Sequence, residues 1–447
     1  MSILDTKNII SFLNLNNQNE LKPDSVLQYV QKIEKECFDC FKKNIFKSGD
    51  YLYWNKPSEY FSFIAVEDKN YAKNVKPNNL NETTSNNNFN KSFPLFVGGV
   101  RFPVNRNSEE WKDYDNKKWF LPKYLVINSD EEYFIIINFI SQKSKPSDII
   151  EEAEKLLSKN ILADNSDNNT LTIDLSKNQD IEKWELSVDS ALQKIKNNSI
   201  SKVVLARKFD GEISKNIIVE GLLKKLEENN QSSYIFAYKQ NKSVFIGASP
   251  ERLFRIKESI IETEALAGSI KSSNNIGEDK KYGVELLGDK KNIDEHSSVL
   301  NYIVNNLKEL GINPEYEKTP KVKKLKNIQH LWTTIKGNIL KKIPIPELIE
   351  KLFPSPAICG FPKNEALNLI EKLEDFDRGM YAGLLGWFNE SEGEFTVTIR
   401  SALIRENKLF AYAGCGIVKG SVADKEFEET NLKLKTILSL FENENKN

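Results

Sequence analysis

The chain of 447 residues is poor in the side chains that most often build thiol, redox and transition-metal sites, with 4 cysteines, 2 histidines and 2 methionines. Cys37 and Cys40 form a C-x-x-C pair, but inside the charged, helix-like stretch QKIEKECFDCFKK, while Cys359 and Cys415 stand alone. Zinc would need two further ligands at that pair, and only His296 and His330 supply imidazole, so reduced thiols on a helix are expected instead. Charge of one sign is also missing. Lys plus Arg is 63 and Asp plus Glu is 64, a formal charge of −1. That balance excludes a long-range pull toward nucleic acid or an anionic membrane. An anionic ligand must then be held by local positive groups. No run of 18 apolar residues occurs, so no membrane span is expected. The opening residues lack a basic segment followed by an apolar core, so no signal peptide or export is expected, and a cytoplasmic location is the expectation.

What is present is an ordinary globular balance, 39% hydrophobic and 28% charged. A chain of this size buries roughly three quarters of its unfolded surface and needs no disulfide or metal to hold a core. Two Asn-rich stretches, 75–92 and 163–170, are polar and without periodicity, and read as exposed connections. Residues 52–67, 94–102, 124–130 and 132–140 read as short strands with turn residues between them. From Ile181 a helix is expected, with Trp184, Val188, Ala191, Leu192 and Ile195 on one face. Residues 201–208, 232–240, 243–249 and 252–256 are strand-like, and 295–308 is helix-like, with Val299, Ile303 and Leu307 at four-residue spacing. In 394–404, Phe395, Val397 and Ile399 alternate with Thr396, Thr398 and Arg400, the pattern of one strand. A last helix spans about 424–441. Strands with interspersed helices point to an α+β sandwich with mainly antiparallel sheets.

Several polar residues stand out, and each has an ordinary reading when taken singly. Lys202 opens a Val- and Leu-rich strand, where a lysine is usually a solvated edge residue. Glu251 follows Pro250 at a turn between strands. Glu295 opens a helix, where an acid commonly answers the macrodipole. Glu426 and Glu429 lie three residues apart on the last helix, about 60° apart around its axis. Arg400 shares a strand face with two threonines. The A-G-C-G segment can offer backbone N–H groups to an anion, but a lone G-x-G is weak evidence.

Together these residues resemble a family. The segments KVVLAR, GASPERL, TEALAGS, DKKNIDEH, VKKLKNIQHL, FPSPAICGFPK, FDRGMYAGLLGW, VTIRSA, and AGCGIVKGS followed by EFEET occur in the order found in the chorismate-binding enzymes. That family includes isochorismate, salicylate, anthranilate and aminodeoxychorismate synthases. The resemblance covers about 184–430 and is loose over the first 180 residues. It implies one large two-sheet sandwich with helices outside, in which 1–180 complete the sandwich and 181–442 form the catalytic region of a single integrated domain.

Within the family, Lys202 falls where water-using members carry a lysine. Ala267, in ALAGS, replaces the nucleophilic lysine that aminodeoxychorismate synthases often carry. PAICGFPK is close to the PTPAxxGxP form of isochorismate synthases. The resemblance therefore implies conversion of chorismate to isochorismate, with Lys202 as base and Glu251 as acid. It implies Mg²⁺ as cofactor, held by Glu295 and Glu429 with Glu426 in an outer position. It places Gly268, His330, Arg400, Gly414 and Gly416 around the substrate, and Cys415 where relatives mostly have alanine. No glutaminase subunit, nucleic acid or membrane partner is expected. The product would feed quinone or siderophore synthesis. The alternatives are a salicylate synthase, which also eliminates pyruvate, and a silent homologue, which would lack a base, acid or metal ligand.

Overall fold

The two-residue period of the apolar pattern decides which face each strand buries. Within Asp50–Lys56, Leu52 and Trp54 join one buried cluster while Tyr51 and Tyr53 join another. The computed structural model describes residues 2–17, 21–77, 80, 82–89, 91–104, 106–141, 145–158, 181–213, 218–273 and 275–441.

The strands form two sheets. The larger has 12 strands, in the order β17 (Gly360–Phe361), β9 (Lys202–Glu212), β21 (Lys408–Val418), β20 (Ser401–Arg405), β11 (Ser243–Ser249) and β10 (Tyr234–Gln240). It continues through β2 (Asp50–Lys56), β3 (Phe61–Glu67), β7 (Tyr124–Ser129), β8 (Glu132–Ile140), β1 (Val26–Ile33) and β4 (Thr83–Ser85). The smaller runs β14 (Pro314–Tyr316), β16 (Ile328–Asn338), β13 (Ile260–Lys271), β12 (Arg252–Lys257), β19 (Gly393–Val397), β18 (Leu384–Phe388), β5 (Phe96–Val100) and β6 (Lys117–Phe120). β15 (Lys321–Lys324) also pairs with β16. Among the described residues, all pairings are antiparallel except the short parallel contact of β1 with β4. Strands from the first 180 residues enter both sheets.

Ten helices are seen among the described residues: α1 (Thr6–Asn17), α2 (Lys35–Ser48), α3 (Pro146–Leu157), α4 (Ile181–Lys196), α5 (Val219–Asn229), α6 (Ile276–Gly288), α7 (Lys290–Glu309), α8 (Ile345–Leu352), α9 (Lys363–Leu373) and α10 (Ala423–Leu438). One apolar cluster fills the space between the sheets, where Trp54, Phe63 and Phe245 of the larger meet Phe254, Phe395 and Leu385 of the smaller. A second joins the opposite face of the larger sheet to α1, α2, α3, α5 and α10. The family's two-sheet sandwich is the fold of this chain. Cys37 and Cys40 lie half-buried on α2.

Three expectations need correction. Residues 394–404 are not one strand: β19 belongs to the smaller sheet and β20 to the larger, and 398–400 carry the chain across. Alternation survives such a crossing because both strands are buried. Glu295 does not open its helix. Asp289 caps α7 by accepting the Asn292 N–H at 2.8 Å, which places Glu295 in the second turn. The stretch 75–92 is not wholly exposed, since Val75 is buried and Asn86 bonds both backbone groups of Val30. The stretch 163–170 lies outside the described residues.

Candidate active site

The polar residues singled out above gather where the chain passes from one sheet to the other. Ser249 ends β11 in the larger sheet and Arg252 opens β12 in the smaller, so Glu251 sits on the crossing. The neighbouring crossing at 398–400 braces it. The Glu251 carbonyl accepts from Thr396 Oγ1 at 2.6 Å and from the Val397 N–H at 3.1 Å. The Arg400 carbonyl accepts the Ala248 N–H at 3.1 Å. Arg400 has a φ of 52° and nearby Ala382 one of 55°, left-handed values that non-glycine residues adopt at some strain. Gly268, with φ 78°, is the extra residue of a bulge in β13, because Ala267 faces Leu331 and Ser269 faces His330. A Cβ on Gly268 would lie 2.9 Å from the Asn292 carbonyl of α7, so the close helix approach also calls for glycine.

These pieces enclose a cavity lined by Glu251, Gly268, Glu295, His330, Arg400, Gly414, Gly416 and Glu429. Lys202 and Glu426 stand just behind that lining. Lys202 is 1% exposed, and its Nζ lies 2.8 Å from Glu295 Oε1 as an ion pair without hydrogen-bond geometry. Gly416 makes this pair possible, since a Cβ there would fall 2.4 Å from Glu295 Oε1 and 2.8 Å from Lys202 Cε. β21 pairs with β20 only as far as Tyr412, so from Ala413 onward the strand runs past β20 along the cavity wall. Lys433 of α10 binds that wall, donating to the Gly414 carbonyl at 2.8 Å, and pairs with Glu429 Oε1 at 2.6 Å. Glu426, 2% exposed, pairs with Lys291.

Burial, and then the nearby Glu264 carboxylate, push Glu251 up to about 8 against the opposing pull of Lys202, Lys323 and Lys433. Its carboxyl therefore keeps a proton at neutral pH. Glu429 behaves in the opposite way: burial pushes it up, but Lys433, Lys291 and Arg400 outweigh this and hold it below the usual carboxylate range. Burial and the Glu429 charge raise Glu426. Burial, with Glu426, Glu429 and Glu295 around it, drives the Cys415 thiol well above its ordinary value, so this cavity-wall thiol stays protonated.

His330 is buried, and burial followed by the Arg400 and Lys433 charges lowers it well below the ordinary imidazole value. It is neutral. Arg400 Nη2 lies 3.2 Å from His330 Nε2, and a guanidinium can only donate, so Nε2 accepts. The proton is then on Nδ1, within reach of Ser269 Oγ at 3.0 Å and the Gly268 carbonyl at 3.3 Å. This chain orients Arg400, whose buried Nε has no hydrogen-bond partner among the described residues. A buried guanidinium N–H without an acceptor calls for an anion, and a carboxylate accepts in the fork geometry. Lys202, Lys291, Lys433 and Arg400 thus surround a site whose opposing carboxylates are Glu295, Glu426 and Glu429. The local positive groups that the neutral net charge demanded are all here.

Sequence reasoning missed Lys433, Lys291, Tyr381 and Ser269. Lys433 follows Glu429 by four residues and Lys291 precedes Glu295 by four, a spacing that signals ion-pairing neighbours on a helix. Tyr381 lies inside a quoted segment with nothing local to mark it, and its hydroxyl packs where a Gly414 Cβ would come within 3.0 Å. Among the described residues, no three His, Cys, Asp or Glu side chains converge as a ready-made metal cluster. The donors nevertheless suit a hard cation. Glu295 and Glu429 reach the same cavity and offer only oxygen, as Mg²⁺ prefers when one or two carboxylates are completed by water and substrate.

A family model described as chorismate binding enzyme matches residues 12–442. The chain is 35% identical to the isochorismate synthase MenF of Bacillus subtilis, over 77% of this chain and 74% of that one. It is 31% identical to the salicylate biosynthesis isochorismate synthase of Pseudomonas aeruginosa, over 77% and 73%. The structure of MenF, the menaquinone-specific isochorismate synthase of Escherichia coli, superposes with a TM-score of 0.75 at 20% identity, covering 98% of this chain and 100% of that one. With a family match across nearly its whole length, and the same fold, this chain belongs to the chorismate-binding enzymes.

Proposed function

We propose that this protein converts chorismate to isochorismate, adding water at C2 and expelling the C4 hydroxyl. The observation that carries the reading is the presence, at one cavity, of a buried carboxyl protonated up to about pH 8 and a buried lysine. Hydroxide leaves poorly and water attacks poorly, so the reaction needs a proton delivered and another removed. Lys202 must first give up its ammonium proton to solvent; the free amine then takes the proton of the attacking water as the water oxygen bonds to C2. The ring double bonds shift, the C4–O bond breaks, and the Glu251 proton joins the departing hydroxyl to give water. Lysine and acid then return to their starting states by proton exchange. Arg400, steadied by His330, holds one substrate carboxylate. Glu295 and Glu429 would hold Mg²⁺, with Glu426 behind them, and the ion would supply positive charge to the other carboxylate. Residues 1–180 and 181–442 act here as one domain, because strands of the first stretch complete both sheets.

Incubating the protein with chorismate and Mg²⁺, with and without ammonia, and separating the products tests this reading. Isochorismate is expected as the main product, ammonia should change nothing, and no glutaminase should be needed. Salicylate with pyruvate as the early product, or anthranilate when ammonia is present, would replace the proposal.

The ligand assignment has its own test. Glu295→Ala and Glu429→Ala are each expected to abolish Mg²⁺-dependent turnover, and to weaken Mg²⁺ binding in titration calorimetry by more than about 100-fold. Glu426→Ala should weaken binding by about 10- to 100-fold, the range for outer-shell partners. Unchanged Mg²⁺ affinity in either of the first two variants removes that residue from the ligand set.

A further inference from the structure

Behind the Glu251 crossing stands a second, largely buried carboxylate, its side chain 9% exposed. Glu264, on β13, accepts the Arg252 N–H at 2.8 Å through Oε1 and the Trp332 indole N–H at 2.6 Å through Oε2. Lys323, on β15, lies 3.2 Å from both Glu264 oxygens and donates to the Pro250 carbonyl at 2.8 Å. One ion pair therefore grips the residue before Glu251 and the residue after it, from two strands that approach from behind. The Glu251 backbone carbonyl is taken up by Thr396 and Val397 on another side. What remains free to face the cavity is the Glu251 side chain.

We propose that Glu264, clamped by Lys323, is a positioning residue for the catalytic acid: it fixes the 250–252 crossing from both flanks and sets a permanent negative charge behind the Glu251 carboxyl. The proposal rests on Glu251 acting as the acid. A neutral side chain could hold the crossing equally well by hydrogen bonds. Only a charge also resists the loss of the Glu251 proton, because two buried carboxylates near each other do not readily both ionise. Which one ionises is decided by the partners. Burial pushes Glu264 up, but Lys323 and the Arg252 and Trp332 N–H groups outweigh it and hold this carboxyl below the usual range. Glu251 faces Glu264 from β13, Lys323 from β15, Lys202 from β9, Lys433 from α10 and Arg400 from the second crossing. Four of these five are cationic and favour its ionised form. Glu264 is the one that opposes them.

The test is the pH profile of kcat/KM, whose alkaline limb reports a required acid in the free enzyme. In Glu264→Gln that limb should move to lower pH by about one unit, a roughly tenfold loss on its alkaline side. Glu264→Gln/Lys323→Met removes both charges and should shift the limb the same way but less, because the Glu264 effect on Glu251 exceeds that of Lys323. If the single variant does not fold, the double variant decides the question alone. A limb that stays within about 0.2 unit of wild type in folded protein, whatever happens to kcat, overturns the proposal and leaves Glu264 a structural residue. Glu251→Gln is the control. If it turns over normally with the same limb, the acid assignment itself has failed, and the Glu264 result is read apart from it.

Discussion

Lys202→Ala is expected to lower kcat by about 10²- to 10⁴-fold, the usual consequence of losing a general base. KM for chorismate should change little, since the carboxylate contact proposed for Arg400 does not depend on the Lys202 side chain. A fall in kcat and kcat/KM together, with KM steady, marks an interaction made mainly in the transition state. Lys202 also faces Glu295 across 2.8 Å, so its loss leaves that carboxylate without its ammonium partner. Mg²⁺ binding by calorimetry should accordingly hold or tighten in Lys202→Ala, which separates a missing base from a damaged metal site. A folded variant within threefold of the wild-type kcat would leave the proposed reaction without its base.

Glu251→Gln should lose activity on a similar scale, because the amide keeps the shape of the side chain but has no proton to give the C4 oxygen. Stability should move the other way. The folded-state value of Glu251 is about 8, well above its ordinary 4.5. The native protein therefore binds a proton that the unfolded chain has released between those two values, and stability falls as pH rises across that window. Glutamine has no such dependence. Its Tm should equal or exceed that of wild type at pH 7, with the gap widening up to about pH 8 and then levelling. Circular dichroism melts at pH 5, 7 and 9 check this. A variant that is inactive and also less stable at pH 9 would mean that the side chain serves the fold rather than the reaction.

The sequence carried much of the architecture. Residues 52–67 read as short strands, and β2 and β3 are found there, with Leu52 and Trp54 in one buried cluster and Tyr53 in the other. The residues of the site were also visible as types, since an acid after proline, a lysine at a strand start and two glutamates three apart on a helix can be read directly. Their states were not. Glu251 stays protonated because it is buried and, after that, because Glu264 lies on a neighbouring strand, against the pull of Lys202, Lys323 and Lys433, which reach it from other elements. His330 is neutral because it is buried beside the Arg400 charge, and its tautomer is set because Arg400, from the crossing between the sheets, can only donate to it.

The segment 394–404 marks where local information stops. Its apolar alternation is the same whether its residues pair within one sheet or two, so nothing in the pattern shows that the chain changes sheets at 398–400. Only the packing of two sheets face to face forces that crossing, with Arg400 at a positive φ and its guanidinium in the cavity. The sequence by itself determined many of the strands, the helices at the C-x-x-C stretch and near 181, 295 and 424, and the supply of acids and bases, because those depend on short-range periodicity and residue chemistry. The tertiary structure decided which of those groups meet, which are charged and where the cavity opens, because burial and Coulomb forces act between elements that are distant along the chain.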